Sequence, residues 1–362
     1  MFEIYSKELD IHSEFVSSSD PQWQEVREVE GYDFYHLPEY AKLDASLVGG
    51  TPICWTAETR NNKTWIPLIE RRIPDSISKS KNYVDYSSPY GYPGILFSSP
   101  VSHEQLNSII RQFQADGADS GNCVTSFLRL NPILNPFVWQ KDDLIEQADH
   151  GHTITVPLDE DLEEIENNFY SSYRRAIKKL LDEGFTFILN DRSRLDDFLA
   201  IYRDTMDRLE ASDYYYFPET YFEQLFDMMG DKAYLSCVTD KNNEMAAAGI
   251  FTDFNGVIQS HLAATSTTHL EHSPSKLLYY GLIEWATANS NHKWLHLGGG
   301  LNSKEDSLYK FKRGFSPIEN QFSTLRIIHD KQAYNNLNYN ALVEAGREEF
   351  EDPDYFPLYR QG

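Results

Sequence analysis

The chain has 362 residues, 41% of them hydrophobic and 14% aromatic, with a formal net charge of −24 at pH 7. That length accommodates two domains with separate cores, and the negative field repels duplex DNA, whose binding rests on Lys and Arg contacts to phosphate. Cys54, Cys123 and Cys237 are scattered, with no CxxC pair, the first residues lack the basic and apolar regions of a secretory leader, and no run reaches the roughly 18 apolar residues of a membrane span, so a reducing, cytoplasmic setting with no membrane span is the expectation.

In chain order, residues 51–59 (TPICWTAET), 64–74 (TWIPLIERRIP) and 83–97 (YVDYSSPYGYPGILF) read as three strands joined by short polar turns. A helix over 102–118 follows, with Leu106, Ile109, Ile110 and Phe113 on one face. Strands are expected at 124–130 and 152–158. Between the halves, DEDLEEIENNFYSSYRRAIKKLLDEG (159–184) starts acidic, turns basic and stops at Gly184, the pattern of one helix. The first order then repeats. Strands are expected at 234–240, 244–254 and 256–265, with turns at Asp240–Asn243 and Asn255-Gly256. A helix over 273–291 has Ser273 as its N-cap and Pro274 in its first position. Strand WLHLGGG, short helix SLYKF and closing strand FSTLRIIHD complete the echo. The expected domains are 1–150 and 151–340, followed by an acidic, aromatic tail over 341–362 that packs on the body or frays.

Several stretches carry candidate chemistry. Gly298, Gly299 and Gly300 let a ligand approach the backbone, or simply allow two elements to pack closely. Neither GxGxxG nor GxxxxGK[ST] is present, so a nucleotide phosphate loop is not expected. In FKRGF, Lys312 sits on a short helix whose buried side is expected to be Leu308, Phe311 and Phe315. A cation at that edge stabilises a developing oxyanion or grips a phosphate, or it is a solvated lysine at a helix end. Tyr90 and Tyr92, in DYSSPYGYPG, line a groove or belong to a bulged edge strand. Arg174, Arg175, Lys178 and Lys179 form a basic cluster that guides an anionic ligand or faces solvent. His261, His296 and Asp306 are candidate bases or hydrogen-bond partners. There is no HExxH, no metal-spaced cluster and no GxSxG, so no metal is expected.

Three antiparallel strands, a helix, a strand, a short helix and a last strand resemble one acetyltransferase-type (GNAT-like) unit. The fold class expected is α/β (α+β), with two such units in tandem, each a mixed, mostly antiparallel sheet with flanking helices. SSYRRAIKKLLDEGFTF, TMDRLEASDYYYF and LHLGGG…DSLYKFKRGFSP together resemble the FemAB-like aminoacyl/acyltransferases, over roughly residues 30–335. That resemblance implies transfer of an aminoacyl or acyl group to an amine of a cell-wall or surface-polysaccharide precursor, an amino sugar or peptide. It also implies that Lys312 stabilises the reacting centre and that Phe311 shapes the cleft. The sequence departs from the family in places. Tyr40 and Asp44 stand where peptidoglycan enzymes often have Trp and Lys, with Lys42 off register. The arginine before the second-domain Tyr-Phe is replaced around Pro218, while Arg208 is present and counts among the substrate-binding candidates. No heptad run supplies a coiled-coil arm.

No resident cofactor is expected; the co-substrate is aminoacyl-tRNA, entering by its 3′-end, or acyl-CoA. The segments 97–105 and 266–276, where a CoA pyrophosphate turn would fall, have neither glycine nor arginine. The acceptor is a small amine, with a nucleotide-linked amino sugar among the candidates. The alternatives are a conventional acyl-CoA N-acetyltransferase and a non-catalytic duplicated module that binds a glycan or a partner protein.

Overall fold

The computed structural model describes residues 10–135, 137–139, 141–289, 291–301 and 304–361. The chain divides into two compact units, Met1–Asp149 with Ser323–Gly362, and His150–Phe322. Each is a mixed α/β layer structure.

In the first unit, β1 (His12–Ser17), α1 (Pro21–Gln24) and α2 (Pro38–Val48) precede an antiparallel run of β2 (Thr51–Thr59) and β3 (Asn62–Arg72). The one-turn α3 (Asp75–Ser78), β4 (Val84–Ser87) and β5 (Leu96–Phe97) follow. The long α4 (His103–Asp119) carries the chain to β6 (Cys123–Arg129), which pairs parallel to β4. Ser102 and Gln105 close a capping box at the start of α4, satisfying two orphan N–H groups. Leu106, Ile109, Ile110 and Phe113 bury its apolar face against Trp55, Ile66 and Leu68, as the helical spacing predicts.

The second unit repeats the plan. From β7 (Ile145–Pro157) the chain runs through α5 (Leu162–Asn168), α6 (Ser171–Asp182), β8 (Thr186–Ile188), α7 (Leu195–Arg208) and α8 (Glu219–Met229). Then β9 (Ala233–Thr239), β10 (Met245–Phe254) and β11 (Val257–Thr265) meander antiparallel. Asn255 and Gly256 both have positive φ, +49° and +82°, the mirror-image turn their pairing predicts. The crossover helix α9 (Ser275–Thr287) leads to β12 (Trp294–Gly298), parallel to β11. The unit ends with α10 (Ser307–Arg313) and the first half of β13 (Ile318–Ile328). In both units, then, three antiparallel strands and a crossover helix lead to a parallel strand.

The strand that closes each unit is not the one chain order suggests. In the second unit β12 pairs antiparallel with Ile154–Pro157 of β7, whereas β6 of the first unit pairs with Thr324–Ile328 of β13. This differs from the expected division at 340: residues 323–340 belong with the first unit, because their hydrogen-bond partners are there. The last helix, α11 (Lys331–Ala345), follows, and Ala333 and Leu337 sit in a core cluster with Ile73, Ile77, Val124 and Tyr359. The expected tail is thus part of that unit. Arg360 and Arg71 both pair with the buried carboxylate of Asp85.

Other expectations need correction. The helix over 159–184 is two helices, because Phe169 and Tyr170 are extended between α5 and α6. Ser273 is not the N-cap of α9; it has φ +54° and ends the 3₁₀ run Thr267–His272, and Pro274 immediately precedes the helix. Residues 83–97 form two short strands, not one. Among the described residues no helix is long and apolar enough to cross a membrane.

Candidate active site

Two irregularities open the sheet of the second unit. β11 and β12 pair in parallel at Val257–Trp294, Ile258–Leu295 and Gln259–His296, and the register ends there although β11 continues to Thr265. Opposite, the pairing of β10 with β11 passes from Phe251–Ser260 to Ile250–Leu262, leaving His261 as the extra residue of a bulge. The pairing of β12 with β7 also shifts, between His296 and Gly298, where Gly298 has φ +72°. Bulges bend a strand and re-aim its side chains. Here they turn the end of β12 away from β11.

The glycine turn holds the lysine. The Lys312 ammonium donates to the Gly299 carbonyl at 2.6 Å. A Cβ on Gly300 would collide with the Lys304 carbonyl and lie 2.5 Å from Asp306 Oδ1, so only glycine fits there. Asp306 caps α10, accepting from Tyr309 N at 2.8 Å and from Leu301 N at 2.9 Å. Lys312 is half-buried along its stem. Burial of its ammonium pulls the pKa down to about 8, against the opposing pull of the Asp306 charge. Leu308, expected on the buried side, is 43% exposed; Tyr309 and Phe315 are the buried residues, and Phe311 is half-buried. The Tyr309 hydroxyl donates to Glu319, which fixes that face of α10 inward.

Aromatic rings floor the site. Phe311 and Phe315 lie against Tyr173 of α6 and Tyr279 of α9, with centroids 5.1–5.9 Å apart. Tyr173 donates to the Phe311 carbonyl at 3.0 Å, and Tyr279 shares a hydrogen bond with Ser260 at 2.9 Å. Gly314 is needed because a Cβ would run into the Tyr173 ring. A second cation, Lys276, stands 4.7 Å over the Tyr173 ring, its pKa lowered by burial. Tyr173, Lys276, Tyr279 and Ser260 were not singled out by sequence. The clue was the first turn of α9, where Lys276 and Tyr279 stand three apart.

The histidines are neutral. Burial takes His261 down to about 4, and burial with the Lys312 charge takes His296 down to about 3. His261 Nε2 meets the Tyr221 hydroxyl at 2.9 Å, and His296 Nδ1 meets Gln259 Oε1 at 2.6 Å. Thr155, His296, Gln259 and Thr252 stand opposite one another on four adjacent strands, a buried polar row.

The remaining candidates lie elsewhere. Arg174 caps α5, donating to the carbonyls of Glu166 and Phe169 at 2.8 Å, while Arg175 is exposed. Arg208 ties the end of α7 to Thr267 and Thr265. Tyr90 and Tyr92 belong to the first unit: Asp44 accepts from Tyr90 N, and Tyr40 donates to the Tyr90 carbonyl. Asp44 is therefore a buried structural carboxylate of that unit.

Residues 167–313 match the family described as an acetyltransferase (GNAT) domain. The fold is similar to that of FemX, at 13% identity and a TM-score of 0.64, covering 90% of this chain and 99% of that one. It is also similar to L-PGS from Bacillus licheniformis, at 13% identity and a TM-score of 0.53, covering 87% and 94%. A conserved protein of unknown function from Bacteroides thetaiotaomicron VPI-5482 aligns at 10% identity and a TM-score of 0.55, covering 88% and 99%. No curated protein matches the sequence. Fold and domain define a transferase of the GNAT-fold acyltransferase class. Within that class its fold is similar to those of FemX and L-PGS.

Proposed function

We propose that the protein forms amide bonds by transferring an aminoacyl or acyl group to an amine of a cell-wall or surface-polysaccharide precursor. The observation that carries this reading is Lys312, a partly desolvated ammonium held on the Gly299 carbonyl beside the point where β11 and β12 part. The acceptor nitrogen attacks the donor carbonyl carbon, a C–N bond forms, and charge gathers on the carbonyl oxygen. Lys312, with the backbone N–H groups of Gly298 to Gly300, stabilises that oxyanion. Collapse breaks the C–O bond of an aminoacyl ester, or the C–S bond of a thioester. The leaving oxygen or sulfur takes up one proton as the amine gives one up, and with a pKa of about 8 Lys312 can donate that proton and be recharged. Phe311 and Tyr279 wall the acyl group, and Lys276 offers charge to an anionic part of the donor.

The segment entering α9 is a 3₁₀ run, Thr267–His272, in place of a glycine-rich phosphate turn. This favours an aminoacyl ester donor over CoA. The test is a transfer assay in which labelled aminoacyl-tRNA and acyl-CoA are each offered with amino-sugar and peptide amines. Amide product from one donor, lost in Lys312→Met, is expected. No amide product from either donor across the acceptor panel would overturn the reading.

A further inference from the structure

Away from this cleft, three side chains from two segments of the second unit converge. The turn from β9 to β10 carries Asp240 and Glu244, and the 3₁₀ run before α9 brings His269 against it. One donor atom from each lies within 4.8 Å of the other two. His269 is 9% exposed. Its Nδ1 faces the hydroxyls of Thr268 at 3.0 Å and Ser266 at 3.3 Å. Its Nε2 makes no hydrogen bond among the described residues and points at Asp240 Oδ2 across 3.7 Å. That gap is too long for a hydrogen bond. It is the right size for two ligands of one small cation: with Zn–N and Zn–O bonds of about 2.1 Å, donors 3.7 Å apart subtend roughly 125° at the metal.

The carboxylate is prepared for the part. Asp240 Oδ1 accepts from the backbone N–H groups of Glu244 at 2.8 Å and Asn242 at 2.9 Å, and Oδ2 accepts from the Asn242 side chain at 3.1 Å. In the tautomer that donates Nδ1–H to one of those hydroxyls, the Nε2 lone pair is directed at the gap, the arrangement by which an outer partner sets the tautomer of a ligating imidazole.

We propose that Asp240, Glu244 and His269 bind a divalent transition-metal cation, with Zn²⁺ the best fit to one imidazole and two carboxylates, and with water completing the shell. The imidazole disfavours Ca²⁺ and Mg²⁺, which take oxygen ligands. The cation would pin the β9–β10 turn to the segment that leads into α9. The site is independent of the transfer chemistry proposed above.

The test is calorimetric titration of the tag-free, full-length protein with Zn²⁺, for wild type, His269→Ala and Glu244→Gln. Co²⁺ loading, read in the visible spectrum, accompanies it. One saturable site in the wild type is expected, with intense four-coordinate Co²⁺ bands and affinity weakened roughly tenfold or more in both variants. Glu244 is exposed on a turn, so Glu244→Gln keeps the test valid if His269→Ala fails to fold. No saturable binding in the wild type would overturn the proposal, as would variants that bind Zn²⁺ as tightly as the wild type.

Discussion

Replacing Lys312 with methionine keeps the length of the stem and removes the charge, so it separates what the ammonium does for catalysis from what it does to the fold. Burial lowers the Lys312 pKa from 10.5 to about 8, which corresponds to roughly 3 kcal/mol held against the charged form, less for the part solvent reaches. Because the folded pKa lies below the unfolded one, the penalty is fully present below pH 8 and fades as pH rises toward 10.5. The variant escapes it and loses one hydrogen bond to Gly299, worth about 1 kcal/mol. At pH 7 it should be as stable as the wild type, or more so by roughly 1–2 kcal/mol. Turnover should fall by about 10²–10³-fold, the usual cost of one oxyanion-stabilising group. Product formation gives kcat, and urea midpoints give stability. A variant that keeps wild-type kcat would make the lysine a bystander. A variant losing activity and more than about 1 kcal/mol of stability would instead make it a prop for the glycine turn.

Three more outcomes follow from the same geometry. If the ammonium is the working form, kcat/KM should decline on the alkaline side with an apparent pKa near 8, and Lys312→Arg should move that decline upward; a flat alkaline profile in the wild type would contradict it. Gly314→Ala drives a methyl into the Tyr173 ring and should cost about 1–3 kcal/mol in chemical denaturation. Unchanged stability there would mean that the ring can move aside. His292 bonds Asp253 at 2.8 Å, and its other nitrogen faces the carbonyls of Ala286 and Asn289 near the end of α9, which together raise its pKa above 6.5. Its contribution, on the order of 1 kcal/mol, is therefore complete below pH 6.5 and lost as pH rises through the raised value. His292→Gln should flatten that part of the pH–stability curve.

Local patterns carried much of this architecture, and long-range pairing hid the rest. The face of α4 and the Asn255-Gly256 turn were legible because each depends on residues within one helix or hairpin. The partner of the closing strand was not, since nothing in FSTLRIIHD tells a strand that it pairs with β6. The break between α5 and α6 was hidden because Phe169 and Tyr170 look like helix formers. Their extended backbone is supported by Arg174, which donates to the freed carbonyls, and by burial of Phe169 against Phe315.

The same contrast governs the cleft. The three glycines stand out because they end an apolar run, and Lys312 because FKRGF sets it beside aromatic residues on a short helix. Their joint purpose lies in a contact, the ammonium on the Gly299 carbonyl, that exists only because β12 bulges at Gly298 and α10 starts at the Asp306 cap. A buried ammonium with one carbonyl partner retains donor capacity for an oxygen that becomes negative during reaction. The Gly299 carbonyl thus anchors the lysine without a carboxylate hydrogen-bonded to it, and the Asp306 charge acts only from a distance. A carboxylate in place of that carbonyl would hold the charge more tightly, raise its pKa, and weaken the pull it can exert on a substrate.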